Sequence, residues 1–262
     1  TGVIAKDRET EKSWRMEAQV VINATGIFSD VFRHANDSQI NWSIRTSRGS
    51  HIVVPGEPLG SNNALIIPKT SDGRVLFAVP WKGHTLIGTT DEPTNKPELH
   101  PIPTEQEISF LIQEAQSTFN LDPLSITSSW AGLRPLVSRA GKSSTAALSR
   151  KHIIDISDNG LISILGGKWT TCRKMAEDTI DAAILKHRLP RHTCKTKDLK
   201  LTEHGALPPL NPVDTAPSNV LSHIIIESCF RDRYARNADD ILARRTRTGM
   251  LNTQLAQNQG AT

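Results

Sequence analysis

Short apolar runs broken by turn-forming residues fill the first third of the chain. Residues 3–7 and 14–20 flank a polar stretch and predict a hairpin. The apolar run 18–22 stops at Asn23-Ala24-Thr25-Gly26. A buried strand ending in small residues and glycine lets a backbone approach a ligand closely. Residues 28–35 predict a short helix, with Ser29 or Asp30 as its cap. From residue 44 to 88 the pattern turns to strands. His51-Ile52-Val53-Val54 is β-branched and stops at Pro55, and runs 64–68, 74–80 and 85–88 follow. Ser71-Asp72-Gly73 and Lys82-Gly83 separate them as turn signals. Close strands with short turns predict an antiparallel sheet rather than helical crossovers.

Residues 104–119 predict a helix. Thr104 can cap it, Glu107 sits three residues on, and Ile108, Leu111, Ile112 and Ala115 share one face. Residues 126–133 predict a strand running into Arg134-Pro135. Runs 153–156 and 161–165 predict a hairpin around Ser157-Asp158-Asn159-Gly160. Gly166-Gly167-Lys168 then leads into a helix to residue 187. Residues 189–217, rich in Pro, Thr and Lys, read as a linker, and 219–251 as two or three helices. No internal repeat is visible.

The 262 residues suit one large or two ordinary domains, and 37% hydrophobic with 22% charged content fits a globular chain rather than a disordered one. No apolar run reaches membrane-spanning length, and the polar residues 1–11 do not suggest a signal peptide. Cys172, Cys194 and Cys229 form no CxxC pair, so a reducing compartment is expected, with no disulfide framework or metal site. The two sequons at Asn36 and Asn41 read as chance matches. A net charge of +4 could favour an anionic substrate or lipid surface, but it is too small to argue for nucleic acid.

Three stretches could carry chemistry. In Leu165-Gly166-Gly167-Lys168-Trp169-Thr170-Thr171 a strand ends in two glycines and a helix begins with hydroxyl residues. The free N–H groups of a helix start favour an anion such as phosphate or the edge of a reduced flavin, and Lys168 would add a full charge. An ordinary turn with a surface lysine fits the spacing equally. In Trp130-Ala131-Gly132-Leu133-Arg134-Pro135-Leu136, Arg134 leaves a strand just before a proline, where a rigid guanidinium suits a bidentate grip on carboxylate or phosphate. A structural ion pair would read the same. Arg150 could be a second cation or merely a solvated charge. In Gly49-Ser50-His51, His51 could be a general base, although a lone histidine is more often structural. No Gly-x-Gly-x-x-Gly follows a strand, and no nucleophile elbow is present.

Taken in order, Val21-Ile22-Asn23-Ala24-Thr25-Gly26, Arg48-Gly49-Ser50-His51-Ile52-Val53-Val54-Pro55, Pro80-Trp81 with Ile87-Gly88-Thr89-Thr90-Asp91, Gly132-Leu133-Arg134-Pro135-Leu136, and Gly166-Gly167-Lys168-Trp169-Thr170-Thr171 closely resemble the FAD-dependent sn-glycerol-3-phosphate dehydrogenases. Residues 240–247 look like the C-terminal helical domain of the same family. The resemblance implies an α/β flavoprotein of the glutathione-reductase or D-amino-acid-oxidase type, with an antiparallel-sheet substrate domain and a helical C-terminal domain. The implied division is 1–38 with 152–190 for the remainder of the FAD-binding domain, 39–151 for the substrate domain, and 191–262 for linker and helices.

The same resemblance implies oxidation of glycerol 3-phosphate to dihydroxyacetone phosphate. Hydride would pass from C2 to flavin N5 and electrons onward to a quinone. It places His51 near the C2 hydroxyl as proton acceptor, and Arg134, Arg150 and Lys168 along the substrate and flavin site. Thr25, Gly26, Gly167, Lys168, Thr170 and Thr171 approach the isoalloxazine. Cys172 departs from the family pattern, where a larger aromatic is expected, and would loosen the first helical turn. The tail lacks the cysteine spacing of an iron–sulfur region, which favours the aerobic, quinone-linked type. Expected partners are therefore the triose phosphates, a quinone and the inner face of a membrane, with a homodimer allowed and nucleic acid excluded. The run Arg244-Arg245-Thr246-Arg247 could face lipid, but reads better as a helix face making internal ion pairs. The missing glycine-rich cradle makes a fragment with weak or no FAD binding the expectation. The alternatives are another amine or hydroxy-acid oxidase of the superfamily, or a non-catalytic module.

Overall fold

The computed structural model describes residues 2–36, 40–56, 63–94, 96–118, 125–139, 151–200, 221 and 223–260. In chain order the elements are β1 (Gly2–Lys6), β2 (Ser13–Glu17), β3 (Ile22–Asn23), a 3₁₀ turn at Gly26–Phe28, α1 (Ser29–Asn36), β4 (Trp42–Pro55), β5 (Leu65–Ile67), β6 (Leu76–Trp81), β7 (His84–Gly88) and β8 (Glu92–Thr94). Next come α2 (Glu105–Gln116), β9 (Ser128–Arg139), β10 (Ile153–Ile156), β11 (Ile162–Leu165), a 3₁₀ turn at Trp169–Thr171 and α3 (Cys172–His187). The chain closes with α4 (His223–Asp232), a π-helical turn at Asp240–Arg245, α5 (Thr248–Leu251) and α6 (Thr253–Gly260). Among the described residues no helix is long and apolar enough to cross a membrane. Two compact units emerge. The first is Thr1–Ser47, Pro93–Glu98 and Leu133–Leu201; the second is Arg48–Glu92, Leu99–Gly132 and Thr202–Thr262.

In the first unit β1 and β2 form the predicted hairpin, Gly2 opposite Glu17. β10 and β11 form the second, closed by Gly160 at φ +87. β11 also pairs in parallel with β3, Ile162 opposite Ile22 and Ser163 opposite Asn23. Of the expected strand 18–22 only Ile22 is extended, and it pairs with β11 together with Asn23. Ile162, Leu165 and Val137 are buried here. Arg33, 3% exposed, ties α1 down. It donates to Asp30 Oδ1 at 2.7 Å, to Asp155 Oδ2 at 2.7 Å and to the Trp42 carbonyl at 2.8 Å. β9 runs straight through Pro135, beyond the end expected before it. β9 pairs with β4, and Pro135 within it has no N–H to donate to a ladder.

In the second unit β5, β6, β7 and β4 pair antiparallel in that spatial order, as the spacing of turns predicts. Alternate residues point to opposite faces of such a sheet. Ile52, Val54, Ile67, Leu76, Ala78 and Ile87 face one side and pack with Leu111 and Ala115 of α2. The other face carries the row Ile66, Phe77, Gly88 and His51. The chain end forms a separate cluster around Ile225, Cys229, Ile241, Leu242 and Ala256. Burial raises the Cys229 thiol above its usual range, against the pull of Arg233 and Arg245. The π turn is closed by the Thr246 N–H on the Ile241 carbonyl at 2.8 Å, and the buried Thr246 hydroxyl donates to the same carbonyl at 2.9 Å. The arginine run is engaged internally: Arg244 pairs with Asp240 at 2.7 Å, Arg245 donates to the Arg233 carbonyl at 2.7 Å, and Arg247 to the Ala243 carbonyl at 3.2 Å.

Candidate active site

The loop after β3 is shaped by Asn23, which is 4% exposed. Its amide donates to the Ser29 carbonyl at 3.0 Å and to Ser163 Oγ at 3.2 Å. Its Oδ1 accepts from the Thr25 N–H at 3.3 Å and the Thr25 hydroxyl at 2.7 Å. One buried amide therefore holds the turn in which Gly26 takes φ +61, and nothing lies within 4 Å of where a Gly26 Cβ would stand. Gly26 lines a largely apolar cleft of about 330 Å³ with Ala24, Gly166, Cys172 and Met175. The open space beside Gly26 is what a planar ring system would need in order to lie against backbone.

Gly166 and Gly167 both have positive φ, +69 and +89. A Cβ on Gly166 would stand 2.5 Å from Val137 Cγ2, 3.1 Å from the Lys151 carbonyl and 3.5 Å from the Pro135 carbonyl. A Cβ on Gly167 would overlap Met175. The loop bearing Lys168 thus seats directly on the part of β9 that begins at Arg134. Arg134 is half-buried; Lys168, Thr170 and Thr171 are exposed. The threonines do not cap α3: Thr171 Oγ1 turns back to the Lys168 carbonyl at 3.0 Å. The Cys172 N–H that opens α3 donates instead to the Trp169 carbonyl of the preceding 3₁₀ turn. Cys172 takes regular helical angles, φ −55 and ψ −41, and lines the cleft. Beside the loop, His152 Nε2 lies 2.9 Å from Asp178 Oδ2 and Lys174 Nζ 2.7 Å from Asp178 Oδ1. Those contacts, Lys174 first, hold the Asp178 carboxyl below its usual range. Arg150 lies outside the described residues.

His51 belongs to the second unit. Its ring stacks on Trp130, centroids 4.4 Å apart and planes 18° from parallel. Gly88 stands opposite His51 in the β4–β7 register, and a Cβ there would overlap the imidazole. Glycine at 88 is therefore a condition for the ring to lie where it does. Behind it, Glu107 is 4% exposed and fully used. Oε1 accepts from the Ser50 hydroxyl at 2.8 Å and the Thr90 hydroxyl at 2.7 Å. Oε2 accepts from Arg48 Nε at 2.8 Å and from the Thr104 N–H and hydroxyl, both at 2.9 Å. Burial pushes the Glu107 carboxyl up, but the hydrogen bonds from Thr104, Thr90 and Ser50 outweigh it and leave it below the ordinary glutamate range.

Within the first unit the fold brings together the Thr25-Gly26 turn, the Gly166–Lys168 loop and the strand of Arg134. Along the chain Gly88 and Trp130 stand out only as parts of motifs, and Glu107 only as a cap partner. A glycine that ends an apolar run, Leu86-Ile87-Gly88, is the signal available for close approach. Among the described residues no group of three or more His, Cys, Asp or Glu could hold a metal ion.

The model of the family described as DAO, FAD dependent oxidoreductase, matches residues 1–173. The chain is 42% identical over 205 residues to the mitochondrial glycerol-3-phosphate dehydrogenases of Mesocricetus auratus and Homo sapiens, covering 77% of this chain and 28% of theirs. The crystal structure of the glycerol-3-phosphate dehydrogenase from Bacillus halodurans complexed with FAD superposes with a TM-score of 0.61 at 37% identity, over 70% of this chain and 35% of that one. The chain therefore spans about a third or less of the length of these relatives. With its α/β fold, its glycine turns set for close approach and a matched span of residues 1–173, the chain belongs to the FAD dependent oxidoreductase family.

Proposed function

We propose that this chain supplies the substrate grip and the flavin-facing loops of an FAD-dependent sn-glycerol-3-phosphate dehydrogenase. Residues 1–38 and 152–190 serve the flavin, residues 39–151 serve the substrate, and 191–262 form linker and helices. Thr25, Gly26, Gly167, Lys168, Thr170 and Thr171 would hold FAD, which supplies the two-electron acceptor for the C2 hydride when bound. Arg134, Arg150 and Lys168 hold the phosphate dianion, and His51 takes the proton from the C2 hydroxyl as the carbonyl forms. The product is dihydroxyacetone phosphate, and the electrons pass to a quinone at the inner face of a membrane. A homodimer is compatible with this reading.

The observation that carries the proposal is the seating of Gly166 against Pro135 and Val137, which ties the strand of Arg134 to the loop of Lys168 within one unit. A phosphate dianion needs two or three fixed cations, and charge-assisted bonds contribute about 1.5–3 kcal/mol each. The Trp130 indole N–H, buried and with no acceptor among the described residues, further supports an oxygen-bearing ligand beside His51.

The test is Arg134→Ala in the flavin-loaded protein, assayed with an artificial electron acceptor. Loss of a two-point grip should raise KM, lower kcat and reduce kcat/KM roughly 100-fold or more. Full activity in that variant, or turnover of amino acids in place of glycerol 3-phosphate, would overturn the reading.

A further inference from the structure

We infer that Glu107 is a positioning residue for His51. One buried carboxylate fastens the β4 segment that precedes the imidazole to the segment that follows Gly88. The inference rests on the proposed role of His51 as proton acceptor.

A capping-box glutamate needs a single bond, to the N–H of the capping residue. Glu107 makes that bond to Thr104 and then accepts four more. Three of the four come from elsewhere in the sheet: Arg48 and Ser50 in β4, and Thr90 just past β7. The strands are cross-tied at the same place. The Ser50 N–H donates to Thr90 Oγ1 at 2.9 Å, and the Thr90 N–H to the Ser50 carbonyl at 3.4 Å. Ser50 immediately precedes His51, and Thr90 lies two residues after Gly88, the residue that seats the ring. Ser50 is fully buried and Thr90 is 1% exposed, so no water competes for these bonds.

The geometry therefore sets the imidazole between two constraints: Trp130 stacked on the ring, and the Gly88 backbone beneath it, whose height is fixed by Thr90 and Glu107. A shift of an ångström in a base relative to the hydroxyl it serves can slow a reaction by about 100-fold. Glu107 touches neither ring nor substrate; it acts through Ser50 and Thr90.

The test is single-turnover flavin reduction by glycerol 3-phosphate, with the dissociation constant for that substrate measured alongside. It is run on the flavin-loaded protein and its Glu107→Gln, Thr90→Val, His51→Asn and Thr90→Val/His51→Asn variants. Glu107→Gln should slow flavin reduction roughly 10- to 100-fold while substrate affinity stays within about twofold, because the phosphate grip is untouched. Thr90→Val removes, at nearly constant volume, both the hydroxyl that donates to Glu107 and the acceptor of the Ser50 N–H, so it loosens the same tie, and it serves where Glu107→Gln does not fold. It should slow the step roughly tenfold on its own and have no further effect in the His51→Asn background, since coupled residues are not additive. Wild-type flavin reduction in a folded, flavin-loaded Glu107→Gln or Thr90→Val overturns the inference. So does an equal slowing by Thr90→Val with and without His51. A wild-type rate in His51→Asn instead overturns the base assignment, and the inference with it.

Discussion

Around His51 the polar side chains are enclosed. Ser50, Thr90 and Glu107 are between 0% and 4% exposed, and every oxygen of the carboxylate is engaged. Around Lys168 the opposite holds: Trp169 is 89% exposed, the threonine hydroxyls leave α3 uncapped, and conformation is set by two glycines with positive φ. The first arrangement fixes a side chain through other side chains. The second fixes a backbone by excluding Cβ atoms and leaves its charges accessible. A proton acceptor needs a defined position, which enclosure provides, whereas an anion grip needs open donors, which burial would consume.

The contrast concerns the chemically suggestive loops, not the units as wholes, and the largest predicted effect sharpens that point. Arg33→Ala would leave the Asp30 and Asp155 carboxylates without their cation and destabilise the first unit by about 3–5 kcal/mol in denaturant unfolding. A loss under about 1 kcal/mol would mean that the interior of this unit is as loosely constrained as its loops.

Paired glycines come next. Gly88→Ala forces a methyl into the His51 ring and should cost about 1–3 kcal/mol in thermal unfolding. Gly26→Ala meets open space and carries only the cost of φ +61, about 1 kcal/mol. Equal losses would erase the distinction between a crowded seat and an open turn.

Acid should separate the regions further, by less than Gly88→Ala does. The Glu107 pKa is depressed on folding, so its stabilising contribution is present above the ordinary glutamate value of 4.5 and is lost as pH falls below it toward the folded-state value. Glu107→Gln should flatten the stability profile in that acid window. An unchanged slope on titration with unfolding monitored would remove the carboxylate from the account.

The smallest effects concern helix starts. Thr104→Ala breaks a capping box and should cost about 1 kcal/mol, whereas Thr171→Ala removes no cap and should fall within about 0.5 kcal/mol of wild type. Comparable losses at both positions would show that the α3 turn is side-chain capped after all.

Much of the fold was legible along the chain. Turn glycines and β-branched runs marked the hairpins and the antiparallel sheet, and Thr104 with Glu107 marked the start of α2. β8, the passage of β9 through Pro135 and the π turn were not legible. The first is three residues long, the second carries a proline that locally argues against a strand, and the third has no local signature distinct from an α-helix. Of the candidate site, the glycine turns and cations stood out by residue type. Gly88, Trp130 and the wider use of Glu107 did not, because their partners lie far off in sequence.

By itself the sequence determined most of the segments that extend or coil and the glycine turns between them, since these follow from periodicity, capping chemistry and the absence of a Cβ. Only the tertiary structure decided that Glu107 meets Ser50 across 57 residues and Arg48 across 59, that the His51 ring rests on Gly88, and that Gly166 beds on β9. The physical reason is that hydrogen bonds and van der Waals contacts act over a few ångströms in space, whatever the number of residues between the partners.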